Sequence, residues 1–130
     1  MSELTCLELS VVLWLVHVLV QAAVGNAVMP SGYLATARDK PAEASGVLYG
    51  RSCRALGNYL ENFTPFVAVA LALIATNRTG GAGAIGATIW ILARIVYLPI
   101  YVSGIIYIRT LVWVISIVGL VMMLGRLIGW

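Results

Sequence analysis

Residues 84–129 read AIGATIWILARIVYLPIYVSGIIYIRTLVWVISIVGLVMMLGRLIG, a stretch of 46 residues whose only charged members are three arginines. A bilayer crossing by a helix needs about 20 mainly apolar residues, so this stretch is long enough for two. Beta-branched residues are abundant in it, but apolar runs of this length without turn signals favour helices over barrel strands. The sequence predicts spans at 84–106 and 109–129, joined as a tight helical hairpin.

Two further apolar runs precede this hairpin. One extends over 9–29 and is ended by Pro30, and the other extends over 51–76 and stops before the polar run NRTGG. Between them lies the one extended polar segment, whose proline, glycine and charge content are typical of a loop. The sequence therefore predicts an all-α fold: an integral-membrane four-helix bundle that forms a single domain over residues 1–130.

The composition excludes several classes of protein. Apolar residues make up 62% of the chain and charged residues 10%, and the mean hydropathy is +1.00. In globular domains about 45–50% of residues are apolar and about 25% are charged. A soluble enzyme, a disordered chain and a two-domain protein are excluded. The eight basic residues are dispersed, which argues against nucleic-acid binding. Cys6 and Cys53 lack metal or redox spacing and the chain has one histidine, so no metal site is expected.

Basic residues are distributed unevenly between the two sides of the predicted bundle. The first loop and the turn between the last two spans share one side, which holds Arg38, Lys40, Arg51, Arg54 and Arg109. The other side contains both termini and the second loop, and it holds Arg78 and Arg126. Because cytoplasmic loops are enriched in Lys and Arg, the first loop is predicted to be cytoplasmic and both termini to lie on the opposite side.

Polar residues recur on three of the predicted helices at spacings of three and four, which places each set on one helix face. The second helix carries Arg51, Arg54, Asn58, Glu61 and Pro65, and the third carries Trp90, Arg94, Tyr97, Tyr101 and Gly104. The first helix carries Trp14, His17 and Gln21. An ionisable group at bilayer depth costs about 2.5–3.5 kcal/mol on insertion scales, so these faces are expected to meet protein or a ligand rather than lipid.

Two interpretations of the polar faces compete. In the structural one, which is favoured for the deepest pair, Glu61 and Arg94 neutralise each other between helices. In the ligand-binding one, Arg51, Arg54 and Arg109 clamp carboxylates, because too few acids are available to pair with them. These three arginines would otherwise reach lipid headgroups and set the topology. Spacing alone leaves that choice open.

Two segments carry a family resemblance. Residues 51–66, RSCRALGNYLENFTPF, are similar to the R-x-x-R-A-x-x-N-x-x-E-N-x-x-P-F pattern of the MAPEG family, the membrane-associated proteins in eicosanoid and glutathione metabolism. Residues 93–101, ARIVYLPIY, with Gly104, Arg109 and Trp113 after them, resemble a later part of the same family, particularly its short bacterial branch. Four spans, a polar first loop and a tight last hairpin also fit, so the resemblance covers nearly the whole chain.

The resemblance, which is to the microsomal glutathione transferases in particular, implies a homotrimer of four-helix bundles in a bacterial inner membrane. Glutathione would bind between neighbouring subunits on the cytoplasmic side. By matching positions, the cofactor-binding residues are expected to be Arg51, Arg54, Asn58, Glu61 and Tyr97. The catalytic residues are expected to be Arg109 and Tyr101. Arg109 would stabilise the thiolate, and the hydroxyl of Tyr101, or alternatively that of Tyr97, would donate a hydrogen bond to it. A free thiol has a pKa of about 8.5, so a fixed cation beside a phenol would favour the nucleophilic thiolate.

Two functions remain from different classes. The first is an integral-membrane, glutathione-dependent transferase or peroxidase that takes hydrophobic electrophiles from the bilayer. The second is a non-catalytic protein with the same bundle: a membrane scaffold, a lipid-binding protein or an accessory subunit of a larger membrane complex. A small transporter is poorly supported, because the sequence has neither broken helices nor an internal repeat.

Overall fold

The computed structural model describes residues 1–39 and 42–130. Within them it contains no strand and four long helices, which are α1 (Glu3–Val28), α2 (Leu48–Ala75), α3 (Ala82–Ser103) and α4 (Ile106–Ile128). Each helix is long and apolar enough to cross a membrane. The prediction of an all-α, multi-pass membrane protein is therefore confirmed. Lys40 and Pro41, which the sequence analysis placed in the first loop, lie outside the described residues.

The helices do not coincide with the apolar runs. Helix α1 starts ahead of its apolar run because the Ser2 side chain caps it, accepting a hydrogen bond from the Thr5 N–H at 3.1 Å. Helix α3 ends at Ser103 rather than at residue 106, because Gly104 takes the left-handed conformation (φ +83°) that commonly terminates helices. Helix α4 then starts at Ile106, so Arg109 lies within its first turn instead of opening it. Apolar composition shows which residues can lie in lipid, whereas capping interactions and backbone conformation determine where each helix begins and ends.

The helices pack as two hairpins, α1–α2 and α3–α4, and the contacts between the hairpins are shared by the pairs α1–α3, α2–α3 and α2–α4. Contacts are most extensive between α3 and α4, then between α1 and α2, and α2 also contacts both α3 and α4. The centre of the core is aromatic: the rings of Phe66 and Trp90 stack with centroids 3.8 Å apart. The buried Tyr59 hydroxyl donates to the Ser10 carbonyl at 2.5 Å, which ties α2 to α1.

Two glycines allow the close approach of α3 and α4. A Cβ atom added to Gly119 would lie 2.6 Å from the carbonyl oxygen of Gly86 and 2.9 Å from the backbone nitrogen of Trp90. Real side chains do not approach a backbone that closely, so only glycine fits there. Small residues at such crossings are the usual means by which membrane helices gain packing.

The outer faces of the bundle are apolar. Large side chains such as Leu19, Leu111 and Val121 are more than half exposed on α1 and α4. In water these faces would be an aggregation hazard. On helices of this length and hydropathy they are the surface that contacts lipid.

Candidate functional site

A buried arginine joins three of the helices. Arg94 on α3 is completely buried, and its two terminal nitrogens donate to Asn58 Oδ1 on α2 and to Ser116 Oγ on α4, each at 2.8 Å. Its guanidinium carbon lies 5.3 Å from the ring centroid of Tyr97 and 5.7 Å from that of Trp90. The charge is therefore held by two neutral hydrogen-bond acceptors and by aromatic faces.

The predicted ion pair between Glu61 and Arg94 is wrong. Glu61 is exposed on α2, and Arg94 bonds Asn58 and Ser116 instead. The reason is helical geometry. Glu61 follows Asn58 by three residues, and three residues fall about 60° short of a full turn of the helix, so the two side chains point in different directions. Asn58 therefore points towards α3, while Glu61 points past it to the surface of the chain.

Two adjoining recesses open beside this network, and we refer to them together as the cleft. The inner recess has a volume of about 280 Å³ and is lined by Asn58, Tyr97, Tyr101, Arg109, Thr110 and Trp113. The outer recess has a volume of about 500 Å³ and is lined by Cys53, Arg54, Gly57, Asn58, Glu61 and Tyr101. Asn58 and Tyr101 belong to both. Six of the seven predicted site residues therefore line these two neighbouring recesses between α2, α3 and α4.

Arg109 supplies the positive charge of the inner recess. Its guanidinium carbon lies 5.0 Å from the ring centroid of Tyr101, which in turn lies 5.4 Å from that of Tyr97. Within the described part of the chain no carboxylate pairs with Arg109, and its side chain makes no hydrogen bond. A guanidinium without a carboxylate partner beside the ring of Tyr101 is suited to holding an anion or stabilising a developing negative charge.

Arg51 lies outside this lining. Its guanidinium donates to the Val102 carbonyl at 3.2 Å and packs against Gly104, where an added Cβ would come within 2.6 Å of the guanidinium carbon. Arg51 therefore satisfies a carbonyl at the C-terminus of α3, where cations are favourable. Its role in cofactor binding stays a prediction.

The polar face of α1 packs inside the bundle. His17 is buried, its Nδ1 lies 2.8 Å from the Leu13 carbonyl oxygen, and its ring lies 4.4 Å from that of Tyr59. Gln21 donates to Cys53 Sγ at 3.4 Å. Among the described residues no group of His, Cys, Asp and Glu side chains could hold a metal ion.

The sequence analysis did not identify a polar face on α4, although the signal was present. Arg109, Trp113 and Ser116 are spaced by four and three residues, as are the members of the other polar faces. The structure turns Arg109 and Trp113 to the inner recess and Ser116 to Arg94. The pattern was missed because these three residues stand singly within a long apolar run.

Comparison with known proteins agrees with the residue pattern. The model of the MAPEG family matches residues 6–129, which is nearly the whole chain. No curated protein and no solved structure gives a significant match. The match extends over all four helices and over every residue that lines the cleft. The chain belongs to the MAPEG family.

Proposed function

We propose that the protein is an integral-membrane, glutathione-dependent transferase or peroxidase that acts on hydrophobic electrophiles. The observation that carries this proposal is the cleft, in which an unpaired Arg109 lies beside Tyr101 and Tyr97 at one end, with Arg54 and Glu61 at the other. Membership of the MAPEG family, whose members are generally associated with glutathione, supports it.

The chemistry of the lining fits the tripeptide. Glutathione presents two carboxylates, one ammonium group, two amides and a thiol. The guanidinium of Arg54 suits a carboxylate, the carboxylate of Glu61 suits the ammonium group, and the amide of Asn58 suits a peptide carbonyl. Arg109 and Tyr101 would then act on the sulfur, the cation by favouring the thiolate and the phenol by donating to it. The outer recess, with a volume of about 500 Å³, lies in the range of small-molecule sites, about 300–1,000 Å³, and the inner recess, at about 280 Å³, lies just below it.

The proposal includes a homotrimer. In a single chain Arg54 and Glu61 are exposed on a membrane helix, and a charge that faces lipid is unfavourable, by about 2.5–3.5 kcal/mol at the centre of a span and less near its ends. A neighbouring copy packed on this face of α2 would cover both residues and complete the wall of the cleft. We expect native mass spectrometry in mild detergent to give three times the 13.9 kDa of one chain, and a monomer that binds glutathione with unchanged affinity would contradict the trimeric site.

Glutathione binding tests the proposed function directly. Isothermal titration of the detergent-purified protein is expected to show saturable binding, which Arg54→Ala weakens by about tenfold or more, the usual loss for a hydrogen bond to a charged group. Arg109→Ala is expected to retain binding and to lose turnover of glutathione with a hydrophobic aryl halide or organic hydroperoxide. Arg38→Asn is the matched control, because Arg38 lies in the exposed first loop at φ +58°, a conformation that asparagine tolerates.

The second candidate is a non-catalytic scaffold, lipid-binding protein or accessory subunit with the same bundle. Two polar residues with structural roles favour it. Arg94 joins three helices through hydrogen bonds to Asn58 and Ser116, and Arg51 donates to a backbone carbonyl at the end of α3. If glutathione does not bind at millimolar concentration, the transferase proposal fails and this second function stands. If glutathione binds and no electrophile is turned over, the cleft is a regulatory site of a non-catalytic protein.

A further inference from the structure

An apolar groove lies at the end of the bundle opposite the cleft, between the start of α3 and the C-terminal half of α4. It has a volume of about 410 Å³, many times the roughly 30 Å³ that a water molecule occupies in the liquid. Its walls include Ile117, Val118, Val121 and Met122, and near the end of α4 they include Arg126 and Trp130. The groove is thus almost wholly hydrocarbon with a cation at one end.

A second arginine is held next to Arg126. The Nε of Arg126 donates to the Arg78 carbonyl at 3.1 Å, and the Arg78 guanidinium donates to the carbonyl of Leu127. These reciprocal bonds join the turn after α2 to the end of α4 and hold the two arginine residues next to each other. Within residues 1–39 and 42–130 neither arginine forms an ion pair. Glu3, a buried acid at this end of the bundle, accepts from the Gly80 N–H at 2.8 Å.

A further feature concerns the depth of the arginine pair in the membrane. Trp130 follows the end of α4 and is 91% exposed, and tryptophan at the end of a span is typical of the headgroup level. This position indicates that the arginine pair lies near the headgroups, with the groove extending from it along α4.

We propose that the groove and the arginine pair form a binding site for an anionic phospholipid. The phosphate would lie on Arg126 and Arg78, and an acyl chain would lie along the apolar wall of α4. An anionic phospholipid fits both parts of the site, because it carries a charged headgroup and hydrocarbon chains. A purely apolar ligand would leave the two arginines without an anion, and a soluble anion would leave the groove unfilled. The site is separate from the cleft and does not depend on glutathione.

Lipid binding to the delipidated, full-length protein tests the site. Native mass spectrometry would compare phosphatidylglycerol with phosphatidylcholine of identical acyl chains, for the wild type and for Arg126→Gln, Gly125→Leu and the control Arg38→Asn. Gly125 lines the groove, and the nearest atom to a Cβ added there is 3.9 Å away. Leucine would therefore fill the groove without a backbone clash, and it favours the helix over glycine.

We expect the wild type and Arg38→Asn to prefer phosphatidylglycerol, and Arg126→Gln to reduce that preference by about fivefold, the attraction of one basic residue for anionic headgroups. Gly125→Leu is expected to weaken binding of both lipids. Equal binding of the two lipids by the wild type would overturn the proposal. So would full competition by glycerol phosphate, which would indicate a site for a free anion, or a loss of oligomer mass in Gly125→Leu, which would indicate a second copy in the groove.

Discussion

Asn58 is the residue at which the core and the cleft meet. Arginine has only donors, so the Asn58 atom that faces Arg94 must be the amide oxygen. The amide nitrogen is left to face the cleft, where in the described part of the chain it has no protein partner. The buried arginine thereby fixes Asn58 as a hydrogen-bond donor to whatever occupies the cleft.

This orientation predicts the effect of Asn58→Asp. The new carboxylate keeps an acceptor for Arg94, so the thermal stability of the bundle is expected to be unchanged or higher. Its second oxygen replaces a donor with a negative charge in the cleft, so glutathione affinity is expected to fall by about tenfold or more. Thermal melting and isothermal titration of the same preparation measure the two quantities.

Ser116→Ala provides the contrasting variant. It removes one of the two acceptors of Arg94 and is expected to lower stability by about 1 kcal/mol, typical of an interhelical hydrogen bond in a membrane protein. Ser103→Ala is the matched control, since that exposed hydroxyl bonds only the Pro99 carbonyl of its own helix. If Asn58→Asp binds glutathione as tightly as the wild type does, the amide nitrogen is not a ligand donor.

At the scale of elements, the α3–α4 hairpin depends on the contact between Gly86 and Gly119. The two helices are joined by only two residues, Gly104 and Ile105, and each brings an arginine to the site, Arg94 from α3 and Arg109 from α4. Their separation is set where the backbones touch, so this crossing determines how far Ser116 and Arg109 lie from α3.

Gly119→Ala is expected to destabilise the protein by about 1–3 kcal/mol, the usual cost of overpacking. The added methyl group would meet backbone atoms of α3 at 2.6 and 2.9 Å, and backbone cannot rotate away. Gly125→Ala on the same helix is the control, because its nearest neighbour would be 3.9 Å away and alanine favours a helix. Equal melting temperatures for the two variants would show that α3 and α4 do not require the close crossing.

At the scale of the whole molecule, the distribution of arginines predicts how the bundle lies in the membrane. Arg51, Arg54 and Arg109 lie near the end of the bundle that carries the first loop, and Arg78 and Arg126 lie at the other. The excess of basic residues predicts a cytoplasmic first loop, a cleft that opens towards the cytoplasm, and both termini on the opposite side.

Reporter fusions in a bacterial host test this topology. Alkaline phosphatase fused after Trp130 is expected to be active, and green fluorescent protein at the same position is expected to be dark, because each reporter matures on one side of the membrane only. Fusions within the first loop, after Ser45, should give the reverse result. A fluorescent C-terminal fusion would invert the topology and place the arginine pair of Arg78 and Arg126 in the cytoplasmic leaflet.

The sequence by itself determined the class of fold and most members of the cleft. In lipid, a segment that crosses the bilayer without forming part of a closed barrel must be a helix, because only a helix makes all its backbone hydrogen bonds internally. Four membrane helices therefore followed from the composition and length of the apolar runs. Spacings of three and four residues were enough to group Asn58 with Glu61 and Tyr97 with Tyr101 along the cleft, because such side chains lie within about 60° of each other around a helix.

Only the tertiary structure decided which of these side chains meet across helices. Periodicity fixes a residue's angle on its own helix, but a contact such as Arg94–Asn58 also depends on the rotation and translation of two helices relative to each other. Those are set by packing at distant points such as Gly86 and Gly119, where a single methyl group would separate the backbones. Glu61 lost its predicted partner, and Arg78 came to lie beside Arg126 from a position 48 residues away. The physical reason is that helix packing is a property of pairs of surfaces, which no single run of residues contains.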